Sequence, residues 1–327
     1  MTRRRRVLFG VITGIALFSA TLAVVGLPAS SHAVEPSDLG VAASEEALSA
    51  DLEQSGPIEF DTFVAADWEV PLSGLLNLDA PEARAAGLSD RDEPIQIFFY
   101  SVQHPKFGLF VVDTGVEWAL ANQPESSLLG GMVGDVMHRE RIQVKLDMRS
   151  WLAKQKEPLR GVFLTHMHTD HIEGLPDIPQ DVPVYAGRGE THGREFSHAF
   201  TAGITDDALA GHPPVREWKF PKETRSVIDV FGDGSFFALQ VPGHTSGSTA
   251  YLARTTKGPV LMVGDTCHTA WGWQHGVEPG SFTADQATNR ESLKWLKQLV
   301  EQHPKIQVRL GHQWLPPQAP VAARGAE

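Results

Sequence analysis

The stretch Thr165-His166-Met167-His168-Thr169-Asp170-His171 puts four metal-ligand side chains within six positions, directly after the apolar run Gly161-Val162-Phe163-Leu164. In an extended turn His166 and His168 point the same way with period two, whereas Asp170 and His171 fall on the following bend and can reach a second ion. The chain has 14 histidines, and a lone histidine beside an apolar strand is usually an ordinary core or surface residue. The clustering of this HxHxDH segment is what marks it as a metal site. It also constrains the fold, because further ligands must converge on it from rigid positions elsewhere in the chain.

Three more positions meet that demand at the ends of apolar runs: Gly243-His244, Gly264-Asp265 after Val260-Leu261-Met262-Val263, and Gly311-His312 after residues 306–310. A glycine precedes each one, and glycine lets the backbone turn sharply beside a crowded site without a Cβ clash. Singly, each reads equally well as a turn with one polar residue. Together with the motif they complete a two-metal set: His166, His168 and His244 on one ion, Asp170, His171 and His312 on the other, and Asp265 bridging. A mixed imidazole and carboxylate set without thiolate points to zinc first, with manganese, iron or cobalt as alternatives.

Short apolar runs at 60–64, 95–100 and 108–112, the last ending in Asp113-Thr114-Gly115, read as two strands and a hairpin. The spacing predicts a helix over 141–155, then the strand 162–164 that delivers the motif at its C-terminal end. Further strands are expected at 183–185, 226–230, 236–241, 248–253 and 259–263. A helix is expected over 283–302, with Thr283 and Gln286 as a capping box. Residues 191–214 carry His192, His198 and His212 with weak periodicity, which suits a helical lid or a surface insertion.

Residues 1–33 contain Arg3, Arg4, Arg5 and Arg6 and no acid, then a nearly unbroken apolar or small-residue stretch and Ser31-His32-Ala33. This reads as an export signal cut after Ala33, with a twin-arginine form, and places the protein in the periplasm or outside the cell. An uncleaved membrane anchor is the alternative. Without this segment the formal charge of −12 becomes −16. An acidic body repels polyphosphate backbones, so nucleic acid is not the expected partner. Residues 34–56, rich in Ala, Ser, Glu and Asp, read as a linker carrying one short helix. Residues 57–315 read as the catalytic domain, and 316–327 as a flexible tail. Cys267 is the only cysteine, so no intrachain disulfide can form.

With these residues in place the chain resembles the metallo-β-lactamase superfamily over roughly residues 58–315. Phe110-Val111-Val112-Asp113-Thr114-Gly115 looks like the family's early strand and turn, Val241-Pro242-Gly243-His244-Thr245-Ser246-Gly247-Ser248 like its second-histidine segment, and Gly264-Asp265-Thr266 like its bridging aspartate. The resemblance implies a four-layer αβ/βα sandwich with the metals at one edge of the sheets. The best-known zinc β-lactamases have Cys where this chain has Asp265, which argues against that specialisation and gives Cys267 no ligand role. Met167, where glyoxalase II has His, and the lack of a basic surface lower the glyoxalase II and RNase Z readings.

The final helix followed by Val308-Arg309-Leu310-Gly311-His312-Gln313 is similar to the acyl-homoserine lactonase branch. The resemblance therefore implies hydrolysis of a small ester or lactone: a hydroxide shared by two metals attacks the carbonyl, with Asp170 orienting it and passing a proton to the leaving group. One departure concerns His268, which stands three residues after Asp265, where that branch carries a Tyr that polarises the substrate carbonyl; His268 is expected to serve the same hydrogen bond or to support a ligand. Asp113 is expected to hold the outer nitrogen of a ligand histidine. Trp68, Trp118, Trp271, Trp273 and His275 are candidates for the pocket wall. Phosphoester, phosphotriester or aryl ester hydrolysis on the same centre is the alternative. A non-catalytic binding protein would predict a broken ligand set.

Overall fold

Two mixed β-sheets pack face to face, each covered by helices on its outer side, in a computed structural model that describes residues 27–316 apart from 51, 196–197 and 223. The eight-stranded sheet runs, in spatial order, Val34–Pro36, Val215–Glu217, Val184–Ala186, Leu159–Phe163, Gly108–Val112, Asp92–His104, Glu59–Pro71 and Gln143–Val144. The six-stranded sheet runs Gln307–Arg309, Gly258–Met262, Thr249–Thr255, Phe236–Gln240, Val227–Asp229 and Val41–Ala43. This is the αβ/βα sandwich that the sequence implies.

Alternation along the long strand Asp92–His104 shows how the layers are glued. Phe98, Tyr100 and Val102 enter the core between the sheets with Phe163, Phe236 and Tyr251, while Ile97 and Phe99 turn to the helical side with Trp151 and Ile172. That is the period of two imposed by the pleat. The inter-sheet core also fixes the strand that delivers the motif. Tyr251, from the opposite sheet, donates its hydroxyl to the Leu164 carbonyl at 2.9 Å and accepts from the Trp218 indole at 3.0 Å.

The helix Gln286–Gln302 covers the six-stranded sheet with Leu293, Trp295, Leu296 and Leu299 buried. Asp285 caps it by accepting from Thr288 N at 3.0 Å, so the expected Thr283–Gln286 capping box is not formed. Thr283 is drawn instead to His244, 3.0 Å from its Nδ1.

Other expectations are corrected. Residues 141–155 are not one helix: the short strand Gln143–Val144 pairs with Ala66 and Asp67, leaving Met148–Leu152 as their α-helix. Pairing along the edge of the sheet outweighed the helical spacing. Residues 34–56 are not a free linker. Val34–Pro36 and Val41–Ala43 are edge strands of the two sheets, and the helix Glu45–Ser49 leads Leu48 and Leu52 into the core. Two buried leucines are worth about 1.5–3 kcal/mol each, enough to hold a stretch otherwise composed like a spacer. The folded body therefore begins well before residue 57.

The expected signal falls mostly on residues 1–26, outside the described residues. Residues 27–33, assigned to it, are built into the body. Leu27–Pro28 pairs with Arg194–Glu195, and Ser30 and Ser31 both donate to the Asp206 carboxylate. The 191–214 segment holds the helix His198–Ala208, which packs on the motif helix Thr169–Ile172 with Ile204 and Ala208 buried. Among the described residues no helix is long and apolar enough to cross a membrane.

Candidate metal centre

Both sheets deliver residues to one end of the sandwich. The eight-stranded sheet ends Leu159–Phe163 at the motif, with His168 at the N-terminus of the single-turn helix Thr169–Ile172, which carries Asp170 and His171. From the six-stranded sheet, Phe236–Gln240 leads to His244, Gly258–Met262 to Asp265 and Gln307–Arg309 to His312. The structure brings all seven sequence-predicted residues together. His244 Nε2 lies 3.2 Å from His166 Nε2 and 2.9 Å from His168 Nδ1. Asp265 Oδ2 lies 3.6 Å from His166 Nε2, 3.4 Å from His244 Nε2 and 3.2 Å from His312 Nε2, while its Oδ1 is 3.3 Å from His171 Nε2. Asp170 Oδ2 is 3.3 Å from His312 Nε2.

Two of the expected glycines are required here by space. A Cβ on Gly311 would lie 2.1 Å from Asp265 Oδ1, and one on Gly243, at φ 134°, would lie 2.2 Å from the Asn289 backbone nitrogen. Either would push the centre apart.

The outer ring nitrogens of His171, His312 and His244 are held. Asp113, the residue that ends the strand Gly108–Val112, accepts from His171 Nδ1 at 2.9 Å, from Thr165 N at 2.8 Å and from the Thr165 hydroxyl. His312 Nδ1 donates to the Gln96 carbonyl at 2.9 Å. Such bonds set the tautomer so that the inner nitrogens aim their lone pairs at the centre. Burial lowers the pKa of His166 and His244 well below the usual histidine range, with the neighbouring His171 and His168 respectively adding to the effect. Uncharged imidazoles are the ligand form. For His171 burial acts in the same downward direction, but the carboxylates of Asp265 and Asp113 outweigh it and raise its pKa above the usual histidine range.

Several features fit a divalent cation. The inner nitrogens of three histidines converge on one another, and His171 Nε2 and Asp265 Oδ1, both buried, have no hydrogen-bond partner among the described residues. Bare lone pairs at such separations repel unless positive charge lies between them. His166, His168, His244 and Asp265 form one group able to hold an ion, and Asp170, His171 and His312 another.

Sequence reasoning missed Glu190, whose buried carboxylate accepts from Met167 N at 2.7 Å, from the Thr245 hydroxyl at 2.7 Å and from Gly247 N at 3.0 Å. It ties the loop of His166 and His168 to the loop of His244. Its one sequence signal is an acid placed just after a short buried strand, Val184–Ala186. Glu117 and Glu173 are two further buried carboxyls beneath the motif. Cys267 is buried with its Sγ on the Thr269 carbonyl, and burial pushes its thiol up to about 12.

Of the aromatic candidates, Trp68 lines a cavity of about 680 Å³ that reaches His312, together with Ile95, Gln96, Arg141 and Trp314. A second cavity of about 670 Å³ reaches Thr283, the residue behind His244. Trp273 is in the core, Trp118 lies under Arg149, and Trp271 stacks on His275 with ring centroids 4.0 Å apart.

A two-sheet αβ/βα sandwich with a histidine and aspartate centre across its edge is the architecture of a metal-dependent hydrolase. Residues 94–312 match the metallo-beta-lactamase superfamily, and the chain belongs to it. It is 27% identical to an N-acyl homoserine lactonase AttM of Azorhizobium caulinodans over 236 residues, covering 68% of this chain and 83% of that protein. It is 25% identical to the AttM of Agrobacterium fabrum over 224 residues, 65% of this chain and 80% of that one. Among solved structures, a quorum-quenching N-acyl homoserine lactone lactonase superposes with a TM-score of 0.57 at 16% identity, covering 79% of this chain and 94% of that chain. A probable metal-dependent hydrolase from Staphylococcus aureus gives a TM-score of 0.59 at 12% identity, covering 79% and 90%. At those identities the structural likeness speaks for the fold.

Proposed function

We propose that this chain is an exported lactonase that opens small lactones of the N-acyl homoserine type on a pair of divalent ions, zinc foremost. The observation that carries the reading is the complete seven-residue set converging from four strand ends. The relatives named as N-acyl homoserine lactonases support the substrate class. His166, His168 and His244 would hold one ion, Asp170, His171 and His312 the other, and Asp265 would serve both. When bound, the ions supply a water acidic enough to attack at neutral pH and a positive field for the carbonyl oxygen.

The rest of the chemistry falls to the chain. Water adds to the carbonyl, the ring C–O bond breaks, and the departing alkoxide takes a proton to give a hydroxy acid. Asp170 has the more accessible of the two carboxylates in the centre, its side chain 17% exposed against 4% for Asp265, which suits it to orient the water and return that proton. Trp68, Ile95 and Trp314 give the cavity beside His312 apolar surface for an acyl chain, with Arg141 at its wall for a carbonyl or carboxylate.

Turnover of an acyl-homoserine lactone, a simple aryl ester and a phosphotriester, measured beside elemental analysis, tests this reading. The lactone should be the best substrate, on protein with two equivalents of metal. Cleavage of the phosphotriester alone would transfer the centre to phosphoester chemistry, and cleavage of none by metal-loaded protein would leave the binding-protein reading. Export belongs to the same proposal, with the leader removed upstream of the Leu27–Ala33 contacts. Terminal sequencing of the protein from culture fluid would show a start before Leu27; a start at Val34 would overturn that placement.

A further inference from the structure

His268 is fully buried beside the seven, and its two nitrogens are arranged like those of His312. Nδ1 donates to the Leu75 carbonyl at 3.0 Å, as His312 Nδ1 donates to Gln96, and Nε2 lies 3.0 Å from Asp265 Oδ2, where His312 Nε2 lies at 3.2 Å. Asp265, His268 and His312 offer ligand atoms all within 4.8 Å of one another. Two imidazoles flank the ring, with centroids 5.1 Å away for His244 and 5.4 Å for His312.

An uncharged imidazole has one N–H. With Nδ1 turned to the Leu75 carbonyl, Nε2 of His268 is aimed at the same Asp265 oxygen that His312 Nε2 faces, and a cation set among the three would join them. Donating from Nε2 to a substrate carbonyl, as a tyrosine at this position would, requires the ring to leave Leu75 or to carry a second proton. A metal ligand needs neither change.

We propose that His268 is an eighth ligand of the centre, joining Asp170, His171 and His312 on their ion. The assignment rests on the two-ion reading above. It gives that ion one more neutral donor, so the second equivalent of metal should be held more tightly than the other seven residues alone allow.

Full-length protein stripped of metal and titrated with Zn²⁺ against a chromophoric chelator tests it. Wild type should bind two equivalents. His268→Ala should bind the first within about threefold of wild type and the second tens of times more weakly, in the range seen when groups that support metal sites are removed. Binding of both equivalents by His268→Ala as by wild type would overturn the assignment. Should the variant fail to fold, ¹⁵N spectra of the wild-type imidazoles decide: Nε2 of His268 should be without a proton and shift on addition of the second equivalent, and a proton retained there in loaded protein would overturn it. A wild type that takes up fewer than two equivalents would bring down the two-ion reading itself, and this assignment with it.

Discussion

Asp113 Oδ2 and His171 Nδ1 are 2.9 Å apart, and the aspartate reaches the ring from a left-handed backbone at φ 55°. Asparagine tolerates that conformation, so Asp113→Asn changes the charge and acceptor without forcing the turn. The variant should fold, by circular dichroism, and lose about 10- to 100-fold in metal affinity. Unchanged affinity would mean that His171 needs no help from Asp113 to face the centre.

Asp265→Ala should abolish activity and bound metal together, because one carboxylate touches the inner nitrogens of both groups. Cys267→Ser, two residues on, should keep metal content and activity close to wild type, since a thiol pushed up to about 12 supplies no thiolate. The reverse pattern in elemental analysis would put the bridge in the wrong place.

Glu190→Gln isolates the clamp between the two histidine loops. One end of the amide must present NH₂ to Met167 N–H or to Gly247 N–H, leaving a buried donor facing a donor. An unsatisfied buried group costs about 1–3 kcal/mol, so the urea midpoint should fall by a corresponding amount with the slope unchanged. A midpoint equal to wild type would remove Glu190 from the support of the centre.

Burial pushes the Glu117 carboxyl up to about 7, with the nearby Asp177 adding to it. In the unfolded chain a glutamate titrates near its ordinary value of about 4.3, so between the two values the folded state holds the extra proton and stability falls as pH rises. Glu117→Gln removes that slope. Its advantage over wild type should therefore grow by roughly 2–3 kcal/mol between pH 5 and 8. Parallel melting curves across that range would sink the assignment.

Much of the centre was legible because the chemistry is local. Four ligands fall within six residues, and His244, Asp265 and His312 each follow a glycine at a strand end, a pattern readable without knowing the fold. Asp113 was legible for the same reason, as the polar residue that stops an apolar strand. Glu190 and Thr283 were not, because their partners lie far off in sequence: Glu190 meets Thr245, and Thr283 leaves its capping position for His244.

The fold was legible where strands are long or strongly apolar. It failed at three-residue strands such as Val34–Pro36, whose composition resembles a spacer and whose pairing partner, Val215–Glu217, is remote. Leu48 and Leu52, four residues apart in a polar stretch, were the local sign that this segment is packed.

That segment has one more effect. Between Val34 and Ala43 the chain passes from the open margin of one sheet to the open margin of the other, covering the strands Val215–Glu217 and Val227–Asp229. Bare margins of this kind recruit strands from other molecules. A protein shortened to begin at Ile58 would thus expose two adhesive borders at once, and it would be expected to clump during purification before any weakness in its catalysis could be measured.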